Sequence, residues 1–275
     1  MCGLVGVLVL PKDRSAESWQ EILDVTTRNL LGNEDRGRDA SGIVVIHADG
    51  RYDLFKQPVE AASLTRMAGY REVLASVGED VTCILGHTRR PTKGSRWRNV
   101  NNHPIVTDNV IGIHNGVIRN DDALFTSLDL PRRGEVDSEV IFRLQEKVSP
   151  DQPLTGYCQA MQERANWLDG MFATLSVDLR NPTQLLALKH RRPLCLHYEA
   201  PLQALFFSSR YVFLRLAFGQ SVIMEILEDG FGYCFDALDL PTWGSSPVCS
   251  FELTPGSGRF PGQNAHVPET GGGTL

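Results

Sequence analysis

No stretch of this 275-residue chain is apolar for long enough to cross a bilayer. Its longest uncharged apolar run covers residues 4–10, against the roughly 20 residues a membrane helix needs. No basic leader precedes that run, and Lys12, Asp13 and Arg14 follow it at once, so no secretory signal is expected. Positive charge is not in excess either. Lys and Arg number 27 against 33 Asp and Glu, a net charge of −6, the wrong sign for a protein that neutralises nucleic-acid phosphates. Cysteines number six, with no CxxC pair and no histidines nearby at zinc-ligand spacing, so neither a structural zinc nor a disulfide scaffold is expected. Mostly buried, inert thiols in a reducing, cytoplasmic setting fit better. No internal repeat occurs. Hydrophobic residues at 42% and charged residues at 22% are ordinary globular usage, which excludes a disordered chain, a collagen and a coiled coil.

The pattern present is strands, then helices, then strands. Residues 5–10 read as a buried strand, and 15–31 as a helix capped by Ser15 and stopped by Gly32. Residues 42–47 and 52–57 read as a hairpin across Asp49-Gly50. A helix over 64–76 and a strand over 81–85 follow, then a polar stretch over 86–103. Two short runs, 110–114 and 117–119, flank Asn115-Gly116, a turn signal. Helices are expected over 138–148 and 154–167. Strands are expected over 172–179, 184–189, 194–198, 204–208 and 222–227, with a further one over 230–234. This order favours an α+β layered domain over a doubly wound parallel sheet. Residues 241–275 hold seven Gly and five Pro and read as a flexible tail after a domain of residues 2–240.

The chemistry starts at Met1-Cys2-Gly3. Methionine aminopeptidase removes Met1 when the next side chain is small, so the mature chain is expected to begin at Cys2. Its thiol would then share a framework with a free α-amine, whose usual pKa of about 8 suits it to act as a base. The alternative is that a cysteine at this position is incidental.

Five further segments follow in order: Arg36-Gly37-Arg38-Asp39-Ala40-Ser41-Gly42, Gly86-His87-Thr88-Arg89, Asn101-Asn102-His103-Pro104, Ile113-His114-Asn115-Gly116-Val117-Ile118 and Val136-Asp137-Ser138-Glu139-Val140. Together with Cys2 they resemble the class II glutamine amidotransferases over residues 2 to about 236, and are most similar to the glutaminase domain of glucosamine-6-phosphate synthase. The resemblance implies an N-terminal nucleophile (Ntn) hydrolase fold, a four-layer αββα sandwich with two stacked antiparallel sheets. It implies hydrolysis of the glutamine side-chain amide through a Cys2 thioester, with ammonia as the useful product and no metal or organic cofactor.

In that reading Asn115 and Gly116 supply oxyanion donors, although Asn-Gly alone is equally a plain type I′ turn. Arg89 grips the α-carboxylate with two parallel hydrogen bonds, or is a solvated loop charge. Asp137 accepts from the α-ammonium, or is the N-cap of the helix at Ser138. Thr92 falls at a substrate-contacting position of the family. Arg36 and Asp39 hold the loop around the nucleophile, and His87, His103 and His114 are structural, with no metal site.

The sequence departs from the family at Arg90, Pro91 and Lys93, within a loop expected to act as a lid. Arg90, Lys93, Arg96 and Arg98 would offer this lid to an acidic partner surface, or the stretch is simply a solvated loop. No phosphate-binding Gly-rich loop appears, so the ammonia acceptor, a synthase or amidoligase, is expected on another polypeptide. Two other functions are weighed: an N-terminal Cys amidohydrolase acting on another amide, and a non-catalytic module that keeps the fold.

Overall fold

The computed structural model describes residues 1–219, 222 and 225–263. In chain order the strands are β1 (Gly3–Val9), β2 (Ala40–His47), β3 (Tyr52–Gln57), β4 (Val81–Arg89), β5 (Ile105–Val106), β6 (Val110–Ile118), β7 (Gly170–Asp178), β8 (Gln184–His190), β9 (Cys195–Glu199), β10 (Ala204–Ser208), β11 (Glu225–Ile226), β12 (Phe231–Asp236) and β13 (Cys249–Glu252). The helices are α1 (Ala16–Asn33), α2 (Ala61–Leu64), α3 (Ala68–Ala75), α4 (Asp121–Ser127), α5 (Ser138–Glu146), α6 (Leu154–Asn166), α7 (Tyr211–Phe218) and α8 (Leu240–Trp243). None is long and apolar enough to cross a membrane.

The strands form two antiparallel sheets, ordered β11-β9-β10-β1-β4-β2-β3 and β13-β12-β8-β7-β6-β5. Successive side chains on a strand point to opposite faces, and both faces here are covered. On β1, Leu4 and Leu8 join Leu85, Ile113 and Leu175 in a core between the sheets. Val5, Val7 and Val9 turn outward and pack with Ile22, Val25 and Leu30 of α1. On the far side, Val140, Phe142 and Leu144 of α5 and Met161 of α6 cover the second sheet. The result is the expected αββα sandwich. Its three apolar layers make every residue of β1, β2 and β4 buried, including the polar end of β4.

Ser15 caps α1 as expected, accepting from the Ser18 N–H at 3.2 Å. Gly32 does not stop the helix, which runs on to Asn33; α7 packs over Gly32 and brings Phe213 to 3.4 Å from where a side chain would begin. Of the helix expected over 64–76, residues 68–75 form α3, while Leu64 ends α2. The strand at 81–85 extends to Arg89, because its polar end pairs with both β1 and β2. Helix α7, ended by Gly219 at φ 69°, was not legible because its mostly apolar octet carries no polar face. The strand expected over 222–227 is Glu225–Ile226, with 223 and 224 outside the described residues.

Asn115-Gly116 is not a turn. Both lie in the unbroken strand β6, opposite Ala173 and Phe172 of β7. The segment from 241 is no tail over its described part: β13 pairs with β12, and Phe251, Leu253 and Phe260 are buried. Its Gly and Pro residues shape turns between packed apolar anchors, and the tail expected over 264–275 lies outside the described residues. The same return brings Cys249 against α6, where it is joined to Cys158 as a disulfide with Cα atoms 7.0 Å apart. The expectation of mostly buried, inert thiols holds for Cys83, Cys195 and Cys234, while Cys158 and Cys249 are paired. Cys2, Cys83, Cys195 and Cys234 are free.

Candidate active site

Cys2 immediately precedes β1. The pairing of β1 with β4 sets Gly3 opposite Thr88, which brings Arg89 and Arg90 beside the thiol. From the facing sheet β6 delivers Asn115 and Gly116, and the start of α5 delivers Asp137 and Ser138. A small cleft between them is lined by Cys2, Arg89–Lys93, His103, His114, Gly116 and Val136–Ser138.

The nucleophile is held from three sides. The Cys2 N–H donates to Asn115 Oδ1 at 3.0 Å. The buried Arg36 guanidinium donates to the Cys2 carbonyl at 2.7 Å. The Arg90 N–H reaches Cys2 Sγ at 3.4 Å. Burial pushes the Cys2 thiol above its usual value, and the Arg90 N–H only partly opposes this. The resting thiol therefore needs a base. Cys83 is pushed far up by burial, and Cys195 and Cys234 to about 12, so these three are inert.

Asn115 is almost wholly buried. Its Oδ1 is spent on Cys2, but its Nδ2 has no hydrogen-bond partner. A buried amide left without a partner costs about 1–3 kcal/mol, so it marks a place where an acceptor is meant to arrive. Gly116 leaves no room for a side chain, since a Cβ would stand 1.9 Å from the Met171 carbonyl oxygen.

Asp137 starts α5 but makes no capping bond. Its Oδ2 accepts from the Ile118 N–H at 2.7 Å, and the residue lines the cleft. The capping alternative is therefore not what the structure shows. Arg89 is buried and not a solvated charge. Its Nη1 donates to Asn102 Oδ1 at 2.8 Å, and its Nη2 to the carbonyls of Lys93 and Gly94 at 2.8 and 2.9 Å. Both Nη2 hydrogens are thus engaged, and in this state Arg89 clasps the lid. Two parallel bonds to a carboxylate require a lid carbonyl to yield. Thr92 lines the cleft from its exposed rim.

Three of the lid's four cations are ion-paired with acids of neighbouring segments. Lys93 Nζ pairs with Asp121 at 2.6 Å and Asp122 at 3.1 Å, Arg96 with Asp39 at 3.2 Å, and Arg98 with Glu135. Only Arg90 of the four has no ion pair among the described residues. The expected display of four cations to an acidic partner is corrected, because the lid's own neighbours supply the acids. Asp39 holds the lid through Arg96 and through its N–H to the Arg89 carbonyl at 3.0 Å.

His87 Nε2 meets the His114 carbonyl at 3.0 Å, and His114 Nδ1 meets Ser138 Oγ at 2.8 Å. His103 stacks on His87 with ring centroids 4.2 Å apart, but neither of its nitrogens has a partner. Backbone bonding therefore holds for His87 but not for His103. Burial pulls His87 down to about 3 and lowers His103 and His114 as well, so all three are neutral at pH 7. Among the described residues no group of three or more His, Cys, Asp or Glu could hold a metal ion.

The sequence profile described as "Glutamine amidotransferase domain" matches residues 97–215. The chain is similar to the class II glutamine amidotransferases. A 7-cyano-7-deazaguanine synthase of Saccharolobus solfataricus is 29% identical over 76% of this chain and 43% of its own length. A glutamine--fructose-6-phosphate aminotransferase [isomerizing] of Geobacillus kaustophilus is 30% identical over 70% of this chain and 30% of its own. The chain thus spans less than half the length of these relatives. Among solved structures, the glutamine phosphoribosylpyrophosphate amidotransferase of B. subtilis superposes with a TM-score of 0.66 at 18% identity, over 91% of this chain and 49% of that one, which supports the fold. Members of the class are enzymes with an N-terminal cysteine nucleophile.

Asn102, Lys56, Ser138 and the Arg90 backbone were not singled out as site residues. Asn102 stood in plain view, next to Asn101 in the Asn-Asn-His-Pro motif. The others act through contacts between distant strands that no local pattern records.

Proposed function

We propose that this domain hydrolyses the side-chain amide of L-glutamine and passes the ammonia to a synthase or amidoligase. The observation that carries the reading is the unpartnered, buried Nδ2 of Asn115, whose other amide atom, Oδ1, accepts from the Cys2 nitrogen. A donor preplaced beside a nucleophile, with no ground-state acceptor, suits a charge that appears only in the transition state.

Met1 is 55% exposed and open to aminopeptidase. Its removal turns the Cys2 peptide nitrogen, which has no basic lone pair, into an amine. That amine takes the thiol proton as Sγ attacks the amide carbon. The tetrahedral oxyanion is met by Asn115 Nδ2 and the Gly116 N–H. Collapse expels the amide nitrogen, which receives the proton from the amine and leaves as ammonia. A γ-glutamyl thioester remains on Cys2. Water then adds through a second oxyanion and releases glutamate. Burial lowers the amine of Met1, Cys2 opposes this, and Arg90, Arg36 and Arg192 add to the lowering.

Asp137 receives the α-ammonium of glutamine, Arg89 its α-carboxylate and Thr92 the rim of the substrate. The acceptor enzyme is supported by the relatives, whose names include a synthase and an aminotransferase. The test is release of glutamate and ammonia in equal amounts from L-glutamine by the mature chain. An N-acylglutamine turned over equally well would contradict the zwitterion clamp, and asparagine turned over equally well would favour another amide.

A further inference from the structure

We propose that Lys56 is a positioning residue for substrate binding: through Asn102 it holds Arg89 and the lid in the geometry that receives the α-carboxylate of glutamine. This rests on reading Arg89 as the carboxylate-binding residue. Lys56 sits on β3, at the edge of the first sheet. Its Nζ donates to the Asn102 carbonyl at 2.7 Å and the Pro104 carbonyl at 2.8 Å. Asn99 Nδ2 donates back to the Lys56 carbonyl at 2.9 Å, so the loop over 99–104 is tied to β3 from both directions.

The Asn102 side chain then does two things. Its Oδ1 accepts from Arg89 Nη1 at 2.8 Å, and its Nδ2 donates to the lid carbonyl of Arg96 at 2.7 Å. Arg89 in turn grips the lid at Lys93 and Gly94. One ammonium thus fixes the loop carbonyls, one amide joins the loop to the arginine and the lid, and the arginine closes the chain. There is no slack behind it, because a Cβ on Gly42 would lie 2.3 Å from the His103 carbonyl and 2.6 Å from Lys56 Cβ.

The groups that face Lys56 electrostatically are Arg89 and His87 on β4 and His103 on the loop; both imidazoles are neutral. Burial first, and Arg89 second, pull the Lys56 ammonium down to about 8. A cation half-buried beside another cation is a costly way to fill space. Its use here is the pair of charge-assisted bonds that place Asn102.

The experiment is steady-state glutaminase kinetics on the mature full chain, comparing wild type, Lys56→Met, Lys56→Arg, Asn102→Ala and the Lys56→Met/Asn102→Ala double variant, with thermal melts alongside. Lys56→Met should raise KM for glutamine about tenfold with kcat changed less than about threefold. Lys56→Arg should recover most of the loss. The double variant should be no worse than the poorer single, as expected for two links of one chain. Wild-type KM should climb as pH passes 8 and the ammonium loses its charge, and Lys56→Arg should abolish that rise. An unchanged KM in Lys56→Met, parallel falls in kcat and kcat/KM, or additive variants would overturn the proposal. If Lys56→Met fails to fold, Lys56→Arg decides: an undiminished alkaline rise in KM refutes the relay. A wild type that releases no ammonia overturns the site reading and the relay with it, whereas normal turnover with an indifferent Lys56→Met overturns the relay alone.

Discussion

Replacing Asn115 by alanine separates the two jobs its amide performs. The Oδ1 holds the Cys2 nitrogen at 3.0 Å. Losing that bond costs about 0.5–1.5 kcal/mol, a fall in Tm of roughly 1–6 °C for a domain of this size. The Nδ2 has no ground-state partner, so its loss costs little until the oxyanion forms. Removing one such donor lowers kcat by about 10²–10³, or about 2.7–4 kcal/mol of transition-state stabilisation. In the proposed clamp glutamine is held by Arg89 and Asp137, so KM should move little. Ammonia release in a coupled assay gives both constants. Asn115→Asp is the sharper companion. It keeps an acceptor for the Cys2 nitrogen but sets an oxygen where the donor stood, so kcat should fall at least as far. An Asn115→Ala variant whose kcat drops less than about tenfold, or whose defect lies in KM alone, would refute the assignment.

Arg89→Ala and Asp137→Asn should act on KM, each raising it about 10–100-fold; Asn is the better probe at 137 because it still accepts from the Ile118 N–H. A kcat loss without a KM change would remove both from the clamp. Arg96→Glu with Arg98→Glu sets like charges against Asp39 and Glu135, so basal turnover should fall by severalfold as the lid opens. Unaltered basal kinetics in that variant would show that the lid does not shape the cleft.

The layers and most strands were legible because their periods are local. Val5, Val7 and Val9 against Leu4 and Leu8 is a two-residue alternation with both faces apolar, and Ser15 announces its helix. The errors share a cause. Asn115-Gly116 carries the sequence of a tight turn, yet pairing with Ala173 and Phe172 outweighs that local preference. Phe251 and Phe260 are anchored by partners far away in sequence, so a Gly- and Pro-rich segment around them read as a tail. At the site, the motif residues Cys2, Asn115, Gly116, Arg89 and Asp137 do converge. What sequence could not give was how Arg89 is employed. An exposed-looking Arg89-Arg90 pair proved to be one buried clasp and one unpaired cation. The acids that satisfy the lid, Asp39, Asp121 and Glu135, come from three separate segments.

The most direct test of the account is peptide mapping by mass spectrometry after incubation with a diazo-ketone analogue of glutamine. The account predicts an adduct confined to Cys2, on a chain whose first residue is Cys2, with Cys83, Cys195 and Cys234 unmodified and turnover lost in proportion to labelling. Turnover by protein that retains Met1, or labelling spread over the buried thiols while Cys2 stays free, would contradict an N-terminal cysteine nucleophile.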